Sequence, residues 1–332
     1  MNLHLRTPTL SLAVFFLSVG IASAITIDMV PVGDPDNTGD TRVMNDGTTG
    51  YGSVGYTYNI GKYEVTAGQY TAFLNAVAGV DTSYGLYNTN MSDTSSGSGI
   101  ARSGGGTIGN PYNYSVAADF VNRPVNYVSW GDAARFCNWL QTGTTETGAY
   151  TLGGHTDNAY LSAVPRNAGA TYVIPTENEW YKAAYYKGGS TNAGYWAYAT
   201  RSDTAPGRDM ADASGNNANY YGTPYPIDSG KYTTVVGEFQ NSAGPYGTFD
   251  QGGNVFEWNP ASWPGYSLCG LRGGSFGDYS GFLLASSRGY GDPPVGEFAS
   301  IGFRVASVPE PGSIILVVSG AIAGLIWRRR RK

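Results

Sequence analysis

Residues 248–258 read TFDQGGNVFEW, and residues 271–276 read LRGGSF. The glycines of both stretches allow backbone conformations that a Cβ atom would hinder. Among them, Asp250, Asn254 and Glu257 place carboxylate and amide oxygens at positions i, i+4 and i+7. Such side chains, together with free backbone carbonyls, suit a hard cation such as calcium. Asx turns produce the same pattern more often than metal loops do, so the spacing alone leaves both interpretations open.

The composition indicates a loop-rich domain with an acidic body. The chain has 332 residues, including 48 Gly and 26 Tyr, which is enough for one large core and too little for two comfortable domains. Of its 20 basic and 25 acidic residues, six basic and one acidic lie within residues 1–24 and 308–332, which leaves a net charge of −10 between these ends. Binding to nucleic acid needs a basic face, so no nucleic-acid partner is expected.

Cysteine and histidine are scarce, which limits the metal and catalytic chemistry. An exported chain could join Cys137 and Cys269 in a disulfide, although Cys137 follows Phe136 on a predicted helix face and suits a buried apolar position. The histidines are His4, near the amino terminus, and His155. A single histidine in the body nearly excludes a His-rich metal centre and weakens any Ser-His-Asp triad.

Both ends of the chain have the pattern of targeting segments. Residues 1–24 combine a basic start, an apolar run and Ala22-Ser23-Ala24, which predicts a secretory signal peptide rather than a membrane anchor. Residues 307–332 contain Pro309-Glu310-Pro311, an apolar run from Ile314 to Trp327 and a basic end, Arg328 to Lys332. The run is marginal for a membrane span, and the basic end would stay cytoplasmic.

The body between these ends predicts a mixed domain of few helices, short strands and long loops. Three helix starts share one signal, a hydroxyl residue followed three positions later by an acid or amide: Thr66–Gln69, Ser129–Asp132 and Thr176–Glu179. Two stretches have strand character, Ile25–Val32 and Tyr56–Val65. Loops are predicted for residues 79–118, 143–170 and 188–230, and short strands between glycine turns from residue 232 onward.

Six blocks of sequence, in order, resemble the sulfatase-modifying-factor family, which includes the formylglycine-generating enzyme. Beside GNVFEW and RGGSF, they are KYEVTAGQYTAFLNAV (62–77), RPVNYVSWGDAARFCNWL (123–140), IPTENEWYKAAYY (174–186) and IGFRVA (301–306). The resemblance implies a single irregular α+β domain over residues 25–306, with short antiparallel strands, about three helices and many loops. It also implies a relationship to the C-type lectin-like fold.

The resemblance implies one or two calcium sites. One site maps to the side chains of Asp250 and Glu257 and the carbonyls of Gly253 and Val255. The other maps to the side chains of Asn219 and Asp228 and the carbonyls of Tyr220 and Gly230, with a different loop length. With the resemblance added, a metal loop is favoured over an Asx turn at Asp250.

The same resemblance predicts that the family's copper chemistry is absent. Active members hold copper between two cysteines that follow the RGGS motif, because thiolates are the soft ligands that bind Cu(I). Those positions are Asp278 and Leu283 in this chain, and Cys269 precedes the motif. Copper is therefore not expected. An iron-dependent relative needs clustered histidines, which the body also lacks.

Two functions from different classes remain open. The first is a non-catalytic, calcium-stabilised module that binds a polysaccharide or a surface protein, since Tyr, Trp, Gly and Asn are favoured at binding surfaces. The alternative is an enzyme of the family, with formylglycine generation or altered chemistry in the same cleft. Its candidate residues are Ser275, Asp278, Arg288 and Tyr290.

The carboxyl-terminal segment resembles the PEP-CTERM sorting signal of Gram-negative bacteria. The resemblance implies transient anchoring in the inner membrane, recognition by an exosortase and cleavage near Pro311. It further implies delivery to the cell surface or the extracellular matrix. An ordinary membrane anchor at the tail is the alternative that the sequence leaves open.

Overall fold

Three helices begin at the capping residues that the sequence indicates. The computed structural model describes residues 25–80, 84–262, 265–288 and 291–308. In it α1 spans Ala67–Val77, α2 spans Trp130–Thr142 and α4 spans Glu177–Tyr185, and each starts with a complete capping box. The three predicted helices are confirmed. A fourth, α3 (Asn158–Leu161), is a single turn inside the loop predicted for residues 143–170.

The first sheet joins the two ends of the domain. Its antiparallel strands, in spatial order, are β1 (Met29–Val32), β2 (Tyr58–Gly61), β10 (Ala306–Ser307) and β5 (Tyr172–Val173). Both strands predicted from the amino-terminal part are therefore present, each shorter than its predicted range. A separate hairpin of β3 (Ile100–Ser103) and β4 (Asn113–Val116) lies within the loop predicted for residues 79–118.

The second four-stranded sheet carries the glycine-rich motif. Its order is β8 (Gly291–Asp292), β7 (Cys269–Arg272), β6 (Phe256–Asn259) and β9 (Ile301–Gly302). The pair β6 and β7 is antiparallel, whereas β6 and β9 are parallel. Strand β6 is buried along its whole length, so its residues pack on both faces of the sheet.

Aromatic side chains fill the core between the helices and the sheets. The ring centroid of Phe136 on α2 lies 5.4 Å from that of Phe73 on α1 and 5.3 Å from that of Phe303. Trp180 and Trp258 are fully buried. Edge-to-face pairs of this kind stabilise a core beyond the area they bury. The arrangement is the α+β class with short, mostly antiparallel strands that the sequence predicts.

The targeting segments lie outside the described residues. The predicted signal peptide and the sorting tail from residue 309 onward are among the residues without a description. Within the described ranges, every helix is too short or too polar to cross a bilayer.

Candidate functional site

The loop of the glycine-rich motif depends on residues with positive φ angles. Asp250, Gly253 and Asn254 have φ angles of 60°, 92° and 59°. Glycine adopts such angles readily, and Asp and Asn tolerate them better than most residues. Gly253 also has no room for a side chain, because a Cβ atom would lie 2.2 Å from the backbone oxygen of Asn219. The glycine therefore lets this loop lie directly against residue 219.

Asn254 joins the two loops that the resemblance assigns to calcium. Its backbone N–H donates to the carbonyl of Asn219 at 2.8 Å, and its Oδ1 accepts from Asn219 Nδ2 at 3.2 Å. The same Oδ1 accepts from the backbone N–H of Thr234 at 2.9 Å. Both Asn254 and Asn219 are buried. The fold thus brings Asn219 into contact with the motif loop.

Glu257 lies on β6 with its carboxylate fully buried and hydrogen-bonded. Its Oε2 accepts from Trp180 Nε1 at 2.7 Å and from Arg304 Nε at 2.6 Å, and its Oε1 accepts from a terminal nitrogen of Arg304 at 2.7 Å. The bidentate arrangement is the strong form of an Arg–carboxylate pair. Removing one partner of such a buried pair leaves an uncompensated charge. This contact joins the IGFRVA stretch to the GNVFEW stretch.

Asp250 holds the neighbouring segment in place. Its Oδ2 accepts from the backbone N–H of Gly237 at 2.6 Å. Burial raises the pKa of Asp250 to about 6, because an ionised carboxylate loses the stabilisation that water would give it. The hydrogen bond from Gly237 and the positive charge of Arg304 act against this rise, since both favour the ionised form.

The oxygen atoms of this loop are of the type that calcium binds. Asp250, Glu257 and the carbonyls of Gly253 and Val255 present the hard oxygens that calcium prefers. A carboxylate has about four acceptor sites, and Glu257 already uses three of them. Arg304 also balances its charge. Among the residues that the structure describes, no three Asp, Glu, His or Cys side chains converge on one point, so an ion here would need carbonyl ligands.

The other predicted calcium loop is tied mainly by hydrogen bonds and an ion pair. Asn219 donates from Nδ2 to the carbonyl of Tyr232 at 2.8 Å, and the carboxylate of Asp228 pairs with Arg123. Gly230 has a φ angle of 74°, and the side chain of Tyr220 donates to the carbonyl of Pro206 at 2.8 Å. The role of these four residues as calcium ligands stays a prediction.

The candidate cleft residues belong to two different groups. The hydroxyl of Ser275 donates to Asp278 Oδ2, which also accepts from the Ser275 N–H at 3.1 Å. Burial raises the pKa of Asp278. Arg288 instead bonds both carboxylate oxygens of Glu177, at 2.8 and 3.1 Å, and pairs with Asp46. Tyr290 lies outside the described residues.

The cysteines do not compensate for the missing thiols of the family. Leu283 is 1% exposed and packs in a cluster with Tyr198 and Ala218. Cys137 and Cys269 are both free and buried, so the disulfide is not formed. Burial raises the pKa of Cys269 to about 12, which keeps it as a thiol at neutral pH. The buried apolar position predicted for Cys137 is confirmed.

Three exposed tyrosines form a surface beside the Ser275–Asp278 pair. We call this set, Tyr221, Tyr225 and Tyr279, the tyrosine patch. The ring centroid of Tyr221 lies 4.7 Å from that of Tyr225 and 5.0 Å from that of Tyr279. The three side chains are 39%, 38% and 66% exposed, respectively. The backbone N–H of Tyr221 donates to the carbonyl of Asp278 at 2.7 Å, which fixes the patch to the cleft.

Sequence reasoning did not identify the tyrosine patch. The 26 tyrosines of the chain are spread widely, and residues 221 and 279 are far apart in sequence. The sequence shows that tyrosine is abundant, but it does not show which tyrosines lie together. In the fold, the 220–232 loop lies over the segment that follows RGGS, and this brings the three tyrosines together.

Comparison with known proteins gives one family over most of the chain and one short motif. A family model described as "Sulfatase-modifying factor enzyme 1-like domain" matches residues 46–308. A model described as "PEP-CTERM protein-sorting motif" matches residues 307–331. No curated protein matches the chain significantly.

Three solved structures resemble this chain at low sequence identity, and the first of them, with a TM-score above 0.5, shows the same fold. Treponema denticola variable protein 1 is 20% identical with a TM-score of 0.55, and the match covers 87% of this chain and 98% of that one. CarF is 22% identical with a TM-score of 0.49, covering 86% and 99%. PvdO from Pseudomonas aeruginosa is 20% identical with a TM-score of 0.45, covering 85% and 92%.

Proposed function

Since this chain belongs to the sulfatase-modifying factor enzyme 1-like family, we propose that it is a non-catalytic member whose cleft serves as a binding surface. The sorting motif at residues 307–331 makes it an exported protein that an exosortase sorts by its carboxyl terminus. We infer that the mature protein resides at the cell surface or in the extracellular matrix. Its ligand there is an extracellular polysaccharide.

The observation that carries this proposal is the tyrosine patch at the position of the family's copper chemistry. Asp278 occupies one cysteine position, and its backbone carbonyl holds Tyr221 of the patch. Leu283 occupies the other and is buried. The site therefore presents aromatic faces to solvent in place of thiolates. A hard carboxylate and an alkyl side chain cannot replace two soft ligands.

A polysaccharide suits this surface better than a flat protein partner does. Tyrosine rings offer rigid apolar faces that can stack on the C–H faces of sugar rings, while their hydroxyl groups reach the sugar hydroxyls. Tyrosine also contributes contact area at a low cost in conformational entropy. Three adjacent exposed rings can contact several sugar units of one chain.

Calcium has a structural role in this proposal. An ion bound through Asp250, with the carbonyls of Gly253 and Val255 and the remaining acceptor site of Glu257, would join the motif loop to its surroundings. That loop contacts Asn219, which immediately precedes the segment of the tyrosine patch. Bound calcium would stabilise the native state by mass action and so support the binding surface.

The alternative of an enzyme rests on the Ser275–Asp278 hydrogen bond. A serine beside a carboxylate could act as a nucleophile if a base activated it. His155 pairs instead with Asp157 at 2.9 Å and stacks on Tyr160, in an exposed loop. Arg288 is held by Glu177. The binding surface is therefore the function that the site supports better.

The proposal is tested by binding to the extracellular polysaccharide of the producing organism. Replacing Tyr279 with Ala should weaken binding by about 1 to 2 kcal/mol, which is a five- to thirtyfold loss. The control is Tyr266→Ala, because Tyr266 is 71% exposed but lies in a different loop. Affinity electrophoresis of both variants gives the comparison. Equal binding by wild type and Tyr279→Ala, or no binding by either, would reject the tyrosine patch as the site.

A further inference from the structure

The guanidinium of Arg208 is buried and has no hydrogen-bond partner. Within the described part of the chain, its Nε, Nη1 and Nη2 atoms are sealed from solvent and none of them donates a hydrogen bond. The residue as a whole is partly exposed, so its charged head is inserted while other atoms of the residue reach the surface. A buried charge without hydrogen bonds is strongly unfavourable. The position therefore calls for an anionic partner that the described residues do not supply.

The head of Arg208 lies beside the tyrosine patch. Its Cζ is 5.5 Å from the ring centroid of Tyr220. A Cβ atom on Gly222 would lie 3.0 Å from both Cδ and Nη1 of Arg208, so this glycine lets the head pack against the segment between Tyr221 and Tyr225. Burial lowers the pKa of Arg208, while Tyr220 and Tyr225 act in the opposite direction. An arginine nevertheless stays protonated in a protein, so the patch has a fixed positive charge at its side.

The carboxylates of the neighbouring segments are engaged elsewhere. Asp228 pairs with Arg123. Asp278 accepts from the backbone N–H of Ser275 at 3.1 Å. Asp209 accepts at 3.0 Å from a backbone N–H two positions further along the chain. The positive charge of the guanidinium is therefore available to a ligand.

We propose that Arg208 binds a carboxylate of an acidic sugar unit, and that the polysaccharide held by the tyrosine patch is therefore anionic. The inference rests on the binding surface of the proposed function and names the class of its ligand. A uronic acid carries its carboxylate at the edge of the pyranose ring. A ring stacked on Tyr221 or Tyr225 would direct that group toward Gly222 and the head of Arg208. There the arginine fork can form two parallel hydrogen bonds with the carboxylate.

Binding requires a movement of the Arg208 head, and its present contacts oppose that movement only weakly. The inserted head has no hydrogen bonds to break. Packing against Gly222 and the cation–π contact with Tyr220 hold it in place. Side chains at the surface change rotamer rapidly. A carboxylate at the patch would replace these contacts with charge-assisted hydrogen bonds, which are the stronger interaction.

The test uses the extracellular polysaccharide of the producing organism in two forms, native and with its carboxyl groups reduced to primary alcohols. Reduction removes the charge and keeps the sugar rings. In calorimetric titration of the full exported chain, wild type should bind the native form about tenfold or more tightly than the reduced form. Arg208→Met removes the donors and should bind both forms alike, with the affinity of wild type for the reduced form. Thermal unfolding should show this variant at least as stable as wild type, because it loses no hydrogen bond.

Arg102→Met is the charge-matched control, since Arg102 is held between the rings of Tyr87 and Tyr112 on the β3–β4 hairpin. It should prefer the native form as wild type does. Equal binding of both forms by wild type overturns the inference and leaves the tyrosine patch as a site for neutral sugars. So does an Arg208→Met variant that keeps the preference for the native form, or that loses affinity equally for both forms.

Two further outcomes separate the inference from the proposed function. No binding of either form by wild type overturns both of them. Weaker binding of both forms by Tyr279→Ala, with no effect of Arg208→Met, retains the binding surface and rejects the role of Arg208. If Arg208→Met does not fold, Arg208→Lys must lose affinity for the native form, because lysine lacks the fork that matches a carboxylate. Unchanged affinity in Arg208→Lys also overturns the inference.

Discussion

At the scale of single residues, the motif depends on contacts between segments that are distant in sequence. Glu257 was predicted as a metal ligand from the family resemblance, because its spacing to Asp250 alone left both an Asx turn and a metal loop open. The structure adds Arg304, which contacts Glu257 across 47 residues of chain. A spacing pattern within one loop contains no information about such a partner. The sequence therefore predicts that this loop offers oxygen ligands, but it does not predict which residue balances their negative charge.

The Glu257–Arg304 pair leads to a prediction for stability. Replacing Glu257 with Gln should destabilise the protein by about 3 to 5 kcal/mol even in chelator, because Arg304 would stay buried without a compensating charge. Denaturant unfolding in the presence of chelator measures this loss. Glu238→Gln serves as the control and should change stability little. A loss that appears only when calcium is present would mean that Glu257 acts as an ion ligand and not as a partner of Arg304.

At the scale of elements, the helices were predictable and the strand pairing was not. Thr66, Ser129 and Thr176 each form the capping box that local sequence indicates. The single turn α3 was missed because its capping residue, Asp157, lies in a polar loop without helical periodicity. The parallel pairing of β6 with β9 was also missed, since it depends on long-range contacts.

Gly253 provides a test of how the motif loop is held. Gly253→Ala should cost about 1 to 2 kcal/mol for its positive φ angle, and the clash with Asn219 should add about 1 to 3 kcal/mol. The matched control is Gly189→Ala, with a φ angle of 84° and no atom within 4 Å of the added Cβ. Denaturant unfolding measures the loss of stability in both variants, and the difference between the two losses gives the cost of the clash. Equal losses would show that close approach to Asn219 does not matter.

At the scale of the whole molecule, one family domain is combined with an export and sorting signal. The domain match ends at residue 308, and the sorting motif starts at residue 307, so the two overlap at residues 307 and 308. The last strand of the chain, β10, ends at Ser307, at the start of the sorting motif. Cleavage beyond the junction would therefore leave every described strand in place.

Sorting predicts the mass of the extracellular protein. The mature form should start near Ile25 and end near Pro311, because the predicted signal peptide and the segment after the Pro-Glu-Pro motif would both be removed. Intact-mass spectrometry of protein recovered outside the cell measures both ends. A product that still carries Arg328 to Lys332 would indicate a retained anchor instead of cleavage by an exosortase.

The most direct measurement of the central claim is an assay for formylglycine. The purified exported chain is incubated with copper, oxygen and a cysteine-containing sulfatase peptide, and the peptide is analysed by mass spectrometry. We expect no formylglycine, because Asp278 and Leu283 cannot hold copper(I) between thiolates and Cys269 is buried as a thiol. Formation of formylglycine that is lost in Cys269→Ser would contradict the account and show a catalytic thiol outside the family's positions.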